Sequence, residues 1–140
     1  MSWWFQDLLI EEVDPMYCGF VYIITNKTNN KQYIGKKLLK FKKTKQVKGK
    51  KKGFYVESDW KTYFGSNEEL NNDVALFGEQ NFKREILKFC RSKGELSYYE
   101  AKYQFQYDVL LSPEKYYNGW IMVKVRRSHL LTKTLLSEGK

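Results

Sequence analysis

The sequence has few cysteines and no long apolar run, and each shortage excludes a class of protein. Cys18 and Cys90 are the only cysteines among 140 residues, too few for a disulfide framework or a four-cysteine zinc site. No apolar run approaches the ~20 residues of a membrane-spanning helix. The acidic start of the chain, residues 1–14, lacks the basic segment that opens a secretory signal. We therefore expect a protein of the reducing cytoplasm with no membrane partner.

Acidic residues are also missing from Pro15 to Val56, a stretch that contains twelve lysines. Ten of these lysines lie between Lys36 and Lys52. A stretch of a single charge sign repels itself unless an anion lies against it, and nucleic acid is the natural polyanion. The alternative is a solvated, mobile loop that only keeps the protein soluble. The formal charge of +9 and the 42% hydrophobic residues describe a basic chain that folds.

Periodicity and capping signals predict one α+β domain, a small antiparallel sheet of about three strands flanked by helices, with a lysine-rich loop. The strands are expected at residues 19–25, 31–35 and 81–89. Capping boxes beginning at Ser66 and Ser92 predict two helices, the second ending near Leu110. A short helical turn is expected at 58–64 and extended chain at 116–126. Residues 1–15 are predicted to pack on this domain (16–127), and residues 128–140 to form a polar basic tail.

Two tyrosines on the first predicted hairpin are candidate functional residues. With the turn centred between Lys27 and Thr28, Tyr22 and Tyr33 would be cross-strand partners on one face. A slip of one residue would place them on opposite faces. The hairpin alone favours the alternative, an aromatic pair that only stabilises the two strands.

The segment Val21-Tyr22, followed by Tyr33-Ile34-Gly35, resembles the signature of the GIY-YIG nuclease family. The later sequences YIGKK, ESDWKTYFGS, SKGELSYYEA and YYN resemble the Seg-type (SegE-like) endonucleases of phages. The resemblance covers about residues 16–127. It implies a GIY-YIG-like fold, hydrolysis of DNA phosphodiester bonds, and one divalent cation, Mg²⁺ or Mn²⁺.

The resemblance also implies roles for four residues. Tyr22 would help the attacking water, and Tyr33 would position the phosphate. A phenol normally titrates near pH 10, so Tyr22 would need Lys31 or Lys36 nearby to act as a base. Glu100 would hold the metal ion, and Asn118 would brace the site by hydrogen bonds.

The setting of Glu100 can be assessed from helical spacing. Leu96, Glu100, Tyr103 and Tyr107 are spaced to share one helix face, where a carboxylate needs a partner or a cation. The alternative is that Glu100 points to solvent beside Lys102 or Gln104. For Asn118 the alternative is an ordinary turn before Gly119.

The sequence departs from the family pattern in one respect. No arginine lies between Tyr33 and Lys83, although the family usually places one on the helix after its second half-motif. Lys36 or Lys43 would then supply the positive charge, without the bidentate geometry of arginine. The only histidine, His129, is in the tail, and Tyr63 either fills the family's histidine position or packs in the core.

The sequence therefore predicts a metal-dependent DNA endonuclease of the phage homing or segregation type. One such site cuts one strand, so a double-strand break would require two nicks, re-orientation or a homodimer. The DNA contacts are predicted at Lys37, Lys40, Lys48, Lys50, Lys51, Lys52, Arg126 and Arg127. The alternatives are a catalytically inactive nucleic-acid-binding module with the same fold, an RNA-directed protein, and a scaffold that uses its aromatic N-terminal end.

Overall fold

A computed structural model describes residues 2–131, and its centre is a five-stranded mixed sheet. The strands are β1 (Trp3–Phe5), β2 (Leu8–Ile10), β3 (Gly19–Asn26), β4 (Gln32–Leu38), β5 (Lys40–Val47), β6 (Lys50–Glu57) and β7 (Phe82–Cys90). The order in the sheet is β2-β1-β7-β3-β4, and β5 and β6 form a separate hairpin. The helices are α1 (Glu68–Phe77), α2 (Lys93–Gln106) and α3 (Arg127–Leu130), with short 3₁₀ turns at Trp60–Thr62 and Glu79–Asn81. Within residues 2–131, no helix has the length and apolarity to cross a membrane.

The predicted α+β class is correct, but the sheet is larger than the predicted three antiparallel strands. β3, β4 and β7 correspond to the predicted strands and pair antiparallel. β1 adds to β7 in parallel, and β2 pairs antiparallel with β1. The N-terminal segment thus extends the sheet, and Trp3 anchors it with a buried indole whose Nε1 donates to the Trp60 carbonyl at 2.7 Å.

The helices begin close to the predicted caps. Ser92 caps α2 by accepting from the Glu95 amide, as predicted, but α2 ends at Gln106 rather than near Leu110. At α1 the cap is Asn67 rather than Ser66, and its side chain accepts from the Leu70 amide at 2.9 Å. Both are residue types that supply a side-chain acceptor to a free helix amide, so local sequence does not separate them.

The interior strand β3, between β7 and β4, is buried on both of its faces and so separates two parts of the core. Phe20, Tyr22 and Ile24 point to one side, where Leu70 of α1 packs. Val21 and Ile23 point to the other side, against Leu96 of α2. A run that is apolar without alternation is typical of a strand covered on both faces. The sheet therefore carries Tyr22 into the layer beneath α1.

The lysine-rich stretch is a β-hairpin and not the predicted loop. β5 and β6 pair over their whole lengths and are joined by a two-residue turn, Lys48-Gly49, with φ of 51° and 77°. Positive φ at both turn positions matches the twist of a hairpin, which explains why this polar sequence forms regular strands. Only Leu39 separates β4 from β5. We call residues 40–57 the basic arm.

The chain after α2 is mostly irregular. The predicted extended stretch 116–126 makes a single bridge, in which Tyr116 lies beside Gln32 at the start of β4. Both cysteines are free thiols. Of the predicted tail, residues 132–140 lie outside the described part of the chain.

Candidate active site

The two tyrosines lie on the same face of the β3–β4 hairpin, although their predicted pairing is wrong. Tyr22 pairs with Gly35 and Tyr33 pairs with Ile24, so the register differs by two residues from the predicted one. A shift of two keeps every side chain on its face, and the tyrosines become diagonal neighbours with ring centroids 6.2 Å apart. The turn is centred one residue later than predicted, between Thr28 and Asn29. Asn26 closes it through its amide, which donates to the Lys31 carbonyl at 2.8 Å.

Glycine at position 35 allows the two phenols to pack over the strand. A Cβ at Gly35 would lie 2.5 Å from Tyr22 Oη and 2.8 Å from Tyr33 Cε2. Gly65, with φ of 90°, passes on another side of the same hydroxyl, and its Cβ would lie 3.4 Å from Tyr22 Oη. The Tyr22 hydroxyl is therefore held in a space that two glycine backbones define.

The two phenols differ in their surroundings. The Tyr22 hydroxyl is buried and makes no well-formed hydrogen bond to the described residues. Burial, followed by the neighbouring phenols of Tyr63 and Tyr33, raises the pKa of Tyr22 well above its ordinary value. Tyr33 is less buried and its hydroxyl lies 3.3 Å from Ser66 Oγ; burial raises its pKa too, and the Ser66 contact opposes the shift.

The expected lowering of the Tyr22 pKa by lysine is wrong for the described residues, because burial and the neighbouring phenols raise the pKa. Lys31 Nζ is engaged elsewhere, 2.7 Å from Glu69 Oε1. Lys36 Nζ lies 2.9 Å from Ser97 Oγ and 4.0 Å from Glu100 Oε1. In this state Tyr22 carries its proton.

The Glu100 side chain is largely buried beside Lys36 and does not face bulk water. Its side chain is 15% exposed, and burial raises its pKa, while the charge and the backbone amide of Lys36 oppose the shift. Its negative charge in turn raises the pKa of both Tyr22 and Tyr33, as expected of a carboxylate close to both phenols. The solvent-facing alternative for Glu100 is therefore wrong.

The inner face of α2 differs in part from the predicted one. Leu96 and Gln104 are buried on either side of Glu100, one helical turn away in each direction, whereas Tyr107 is 43% exposed. Gln104 was not predicted as a site residue, although its spacing of four from Glu100 places it on the same face. The helix thus turns Leu96, Glu100 and Gln104 toward the sheet.

Asn118 braces β4, the strand that carries Tyr33 and Gly35, from outside the sheet. Its Oδ1 accepts from the Ile34 amide at 3.0 Å, and its Nδ2 donates to the Ile34 carbonyl at 2.8 Å. Gln104 Nε2 donates to the same carbonyl at 3.0 Å. β4 is the edge of the sheet, and these side chains satisfy the backbone groups of Ile34 that a further strand would otherwise bind. Asn118 therefore has the geometry of a bracing residue.

Lys37 approaches the site more closely than its sequence-based assignment to DNA binding suggests. Its side chain is only 9% exposed, with Nζ 3.9 Å above the ring of Tyr63 and 2.5 Å from Asp59 Oδ1. The Tyr63 ring lies 6.0 Å from that of Tyr22. Lys43 instead lies on the basic arm, opposite Phe54. The lysines that join this cluster are Lys36 and Lys37.

The other predicted DNA-binding residues lie outside this cluster. Lys40 Nζ donates to the Pro15 carbonyl at 2.9 Å. Lys48 occupies the tip of the basic arm, and Lys50, Lys51 and Lys52 follow it on β6. Arg126 and Arg127 lie at the start of α3, which packs beside α2.

The donor set fits a divalent ion that uses few protein ligands. Among residues 2–131 there is no cluster of three or more histidine, cysteine and acidic side chains. Mg²⁺ is commonly bound through one or two carboxylates, several waters and the phosphates of a substrate. Glu100 would supply one carboxylate. The Tyr22 hydroxyl, which makes no well-formed hydrogen bond to the described residues, would supply a nearby polar atom. These residues suit a cation that is completed by substrate and water.

Two tyrosines on a β-hairpin, a glycine between them and a carboxylate from the helix behind define a domain of the GIY-YIG type. The chain belongs to the family described as "Putative endonuclease segE, GIY-YIG domain", whose model matches residues 3–121. The match begins at β1 and so includes the N-terminal segment that extends the sheet. No curated protein and no solved structure matches the chain.

Proposed function

We propose that this protein is a metal-dependent endonuclease that hydrolyses phosphodiester bonds of DNA. The observation that carries the proposal is the packing of Tyr22 and Tyr33 around Gly35, with the Glu100 carboxylate close enough to raise the pKa of both phenols, in a chain of a nuclease family. A purely structural tyrosine pair would require neither a largely buried carboxylate beside it nor a hydroxyl without a well-formed hydrogen bond.

Glu100 is the residue that would hold Mg²⁺ or Mn²⁺. When bound, such an ion supplies positive charge to the phosphate oxygens and lowers the pKa of a coordinated water. In the absence of an ion, the ammonium group of Lys36 lies 4.0 Å from the Glu100 carboxylate and partly neutralises its negative charge. The raised pKa of Glu100 indicates a site in which an ionised carboxylate needs a cation.

The protein's own groups would bind and orient the phosphate. The Tyr33 hydroxyl and the ammonium groups of Lys36 and Lys37 would hold its oxygens, although each lysine gives a point charge rather than a paired contact. Tyr22, protonated in this state, would orient the attacking water by a hydrogen bond. It would accept the water's proton only after added positive charge lowers the phenol pKa.

Asn118 and Gln104 would act by positioning. They hold the Ile34 backbone between Tyr33 and Gly35, so the two phenols keep their spacing when substrate binds. With one such cluster in the chain, each encounter would cut one strand. A double-strand break would then follow from two nicks, re-orientation or a homodimer, and such a cut would serve homing or segregation of a phage genome.

The test is a nicking assay on supercoiled plasmid with Mg²⁺ or Mn²⁺, compared with EDTA. We expect the wild type to produce relaxed circles only with metal, and Glu100→Gln to be slower by at least ~100-fold, since it removes a charge that acts on the reacting phosphate. Glu114→Gln is the matched control, because Glu114 is an exposed acid of the same type and its loss should leave nicking unchanged. Equal activity of Glu100→Gln and wild type would contradict the assigned site.

A catalytically inactive binding module is the second candidate. The observation that favours it is the absence of arginine between Tyr33 and Lys83, which removes the bidentate phosphate contact typical of the family. A wild-type protein that retards plasmid in a gel but never nicks it with either metal would establish this alternative.

A further inference from the structure

The basic arm has two different faces, set by the pairing of its strands. Alternate residues of a strand point to opposite sides, and directly paired residues point to the same side. The front face consists of Phe41, Lys43, Lys45, Val47, Lys50, Lys52, Phe54 and Val56. The back face consists of Lys40, Lys42, Thr44, Gln46, Lys51, Gly53, Tyr55 and Glu57.

The front face continues the surface of the candidate active site. At the root of the arm, the Phe41 ring lies 5.0 Å from Lys37 Nζ, the same ammonium group that lies above Tyr63. Phe41 also lines a cleft together with Lys36 and Ser97, whose side chains are hydrogen-bonded beside Glu100. Further out, Lys45, Lys52 and Phe54 line a second shallow cleft on the same face.

The back face turns toward acidic residues. Lys40 donates to the Pro15 carbonyl, which fixes the root of this face against the N-terminal segment. Tyr55 and Glu57 line a cleft whose opposite wall includes Glu11, Glu12 and Asp14. A polyanion is repelled by such a wall, so the two faces differ in the partner that each can accept.

Like charges face each other on the front face. Lys45 pairs directly with Lys52, and Lys43 and Lys50 lie on the same side; all four are exposed. Like charges directly opposite each other destabilise a strand pair, and nothing acidic on the arm's front face compensates them. A row of phosphates would neutralise these lysines, which removes the repulsion between them and favours binding.

We propose that the front face of the basic arm binds the phosphate backbone of duplex DNA beside the bond that is cut. The inference rests on the proposed function, since it takes the tyrosine cluster as the point of cleavage. Eight-residue strands extend ~26 Å, enough to follow several phosphates away from the site. Phosphate contact of this kind fixes the register of the duplex without reading its bases.

The test compares two double variants of equal charge change, Lys45→Gln with Lys52→Gln on the front, and Lys42→Gln with Lys51→Gln on the back. The proposal thereby replaces the DNA contact that the sequence predicted for Lys51, because the strand pairing puts Lys51 on the back face. A fluorescent duplex of about 30 base pairs is titrated in EDTA, at several salt concentrations, and the change in anisotropy gives Kd. We expect the front variant to bind about tenfold more weakly or worse, and its slope of log affinity against log salt to fall by about 1 to 2. The back variant should stay within about threefold of wild type with an unchanged slope.

Equal losses in both variants would overturn the proposal, because they indicate general charge attraction or an arm buried by both faces in a groove. Unchanged binding in both would overturn it as well. Plasmid nicking by the same preparations distinguishes a failure of the front-face proposal from a failure of the proposed endonuclease function. A wild type that binds and nicks while the variants do not differ refutes only the front face, whereas a wild type that neither binds nor nicks refutes both.

Discussion

The bracing of Ile34 allows a prediction with a defined magnitude, in which Asn118→Ala and Gln104→Ala are made singly and together. The Ile34 carbonyl accepts from both side chains, whereas its amide donates to Asn118 alone. All three groups are buried. Each single variant therefore leaves the carbonyl one partner, and only the double variant leaves it none.

The costs follow from this asymmetry. Gln104→Ala removes one hydrogen bond without stranding its acceptor, a loss of about 1 kcal/mol in the free energy of unfolding. Asn118→Ala also strands the Ile34 amide, which brings its cost to about 3 kcal/mol. The double variant strands the carbonyl in addition, so its cost should exceed the sum of the singles by about 2 kcal/mol.

Urea unfolding followed by tryptophan fluorescence measures these values, in sulfate buffer so that the double variant stays folded. As a control, Asn118→Ala combined with Lys51→Gln should show additive costs, because Lys51 lies on the exposed arm. Additivity within ~0.5 kcal/mol for Asn118 and Gln104 would refute the reasoning. It would mean that water replaces the lost side chains at the strand edge.

Three further predictions concern the site directly. Gly35→Ala places a methyl group 2.5 Å from Tyr22 Oη, so nicking should fall by at least ~100-fold while DNA affinity, measured by anisotropy, changes little. Tyr22→Phe removes a buried hydroxyl that makes no well-formed hydrogen bond to the described residues, so it should raise the urea-derived free energy of unfolding by about 1 kcal/mol and still abolish nicking. Lys37 lowers the pKa of Asp59, so their pairing stabilises the fold above about pH 4 and is lost as the pH falls below it; Asp59→Asn should melt below wild type at pH 7 and converge with it in acid.

Each of these has an outcome that contradicts it. Normal nicking by Gly35→Ala would show that the phenols tolerate displacement. A less stable Tyr22→Phe would show that the hydroxyl makes a structural bond after all. A difference between Asp59→Asn and wild type that stays constant from pH 7 to acid would show that the ion pair does not titrate with this carboxyl.

The parts of the fold that could be predicted depend on local signals. β3 is a run of β-branched and aromatic residues, and α2 starts at a serine with a glutamate three residues later, so both are defined by neighbours in sequence. The tyrosine pair of the candidate site was predictable for the same reason, because Tyr22 and Tyr33 belong to one hairpin. They share the predicted face because the observed register differs from the predicted one by two residues, an even shift that keeps each side chain on its side of the sheet.

The parts that could not be predicted depend on distant partners. β1 is a strand because β7, some eighty residues later, offers it an edge, and three residues carry too little pattern to show this. The basic arm is built of lysines that have low strand propensity, and only the positive φ values of the turn reveal why it pairs. Gln104 acts through a hydrogen bond to Ile34 that no spacing along α2 identifies.

The single residue between β4 and β5 has a consequence for how the length of the basic arm can vary. Leu39 is buried, its amide donates to the Cys18 carbonyl, and its carbonyl accepts from the Ser58 amide, so the base of the arm is fixed beside the start of β3. New residues are then best accommodated at the far end, around Gly49. Adding one residue to each strand there preserves the orientation of everything below and lengthens the reach by ~3.3 Å, whereas an unmatched single insertion would require a bulge. The length of the arm could thus be changed in paired steps without altering the surroundings of Tyr22 and Tyr33.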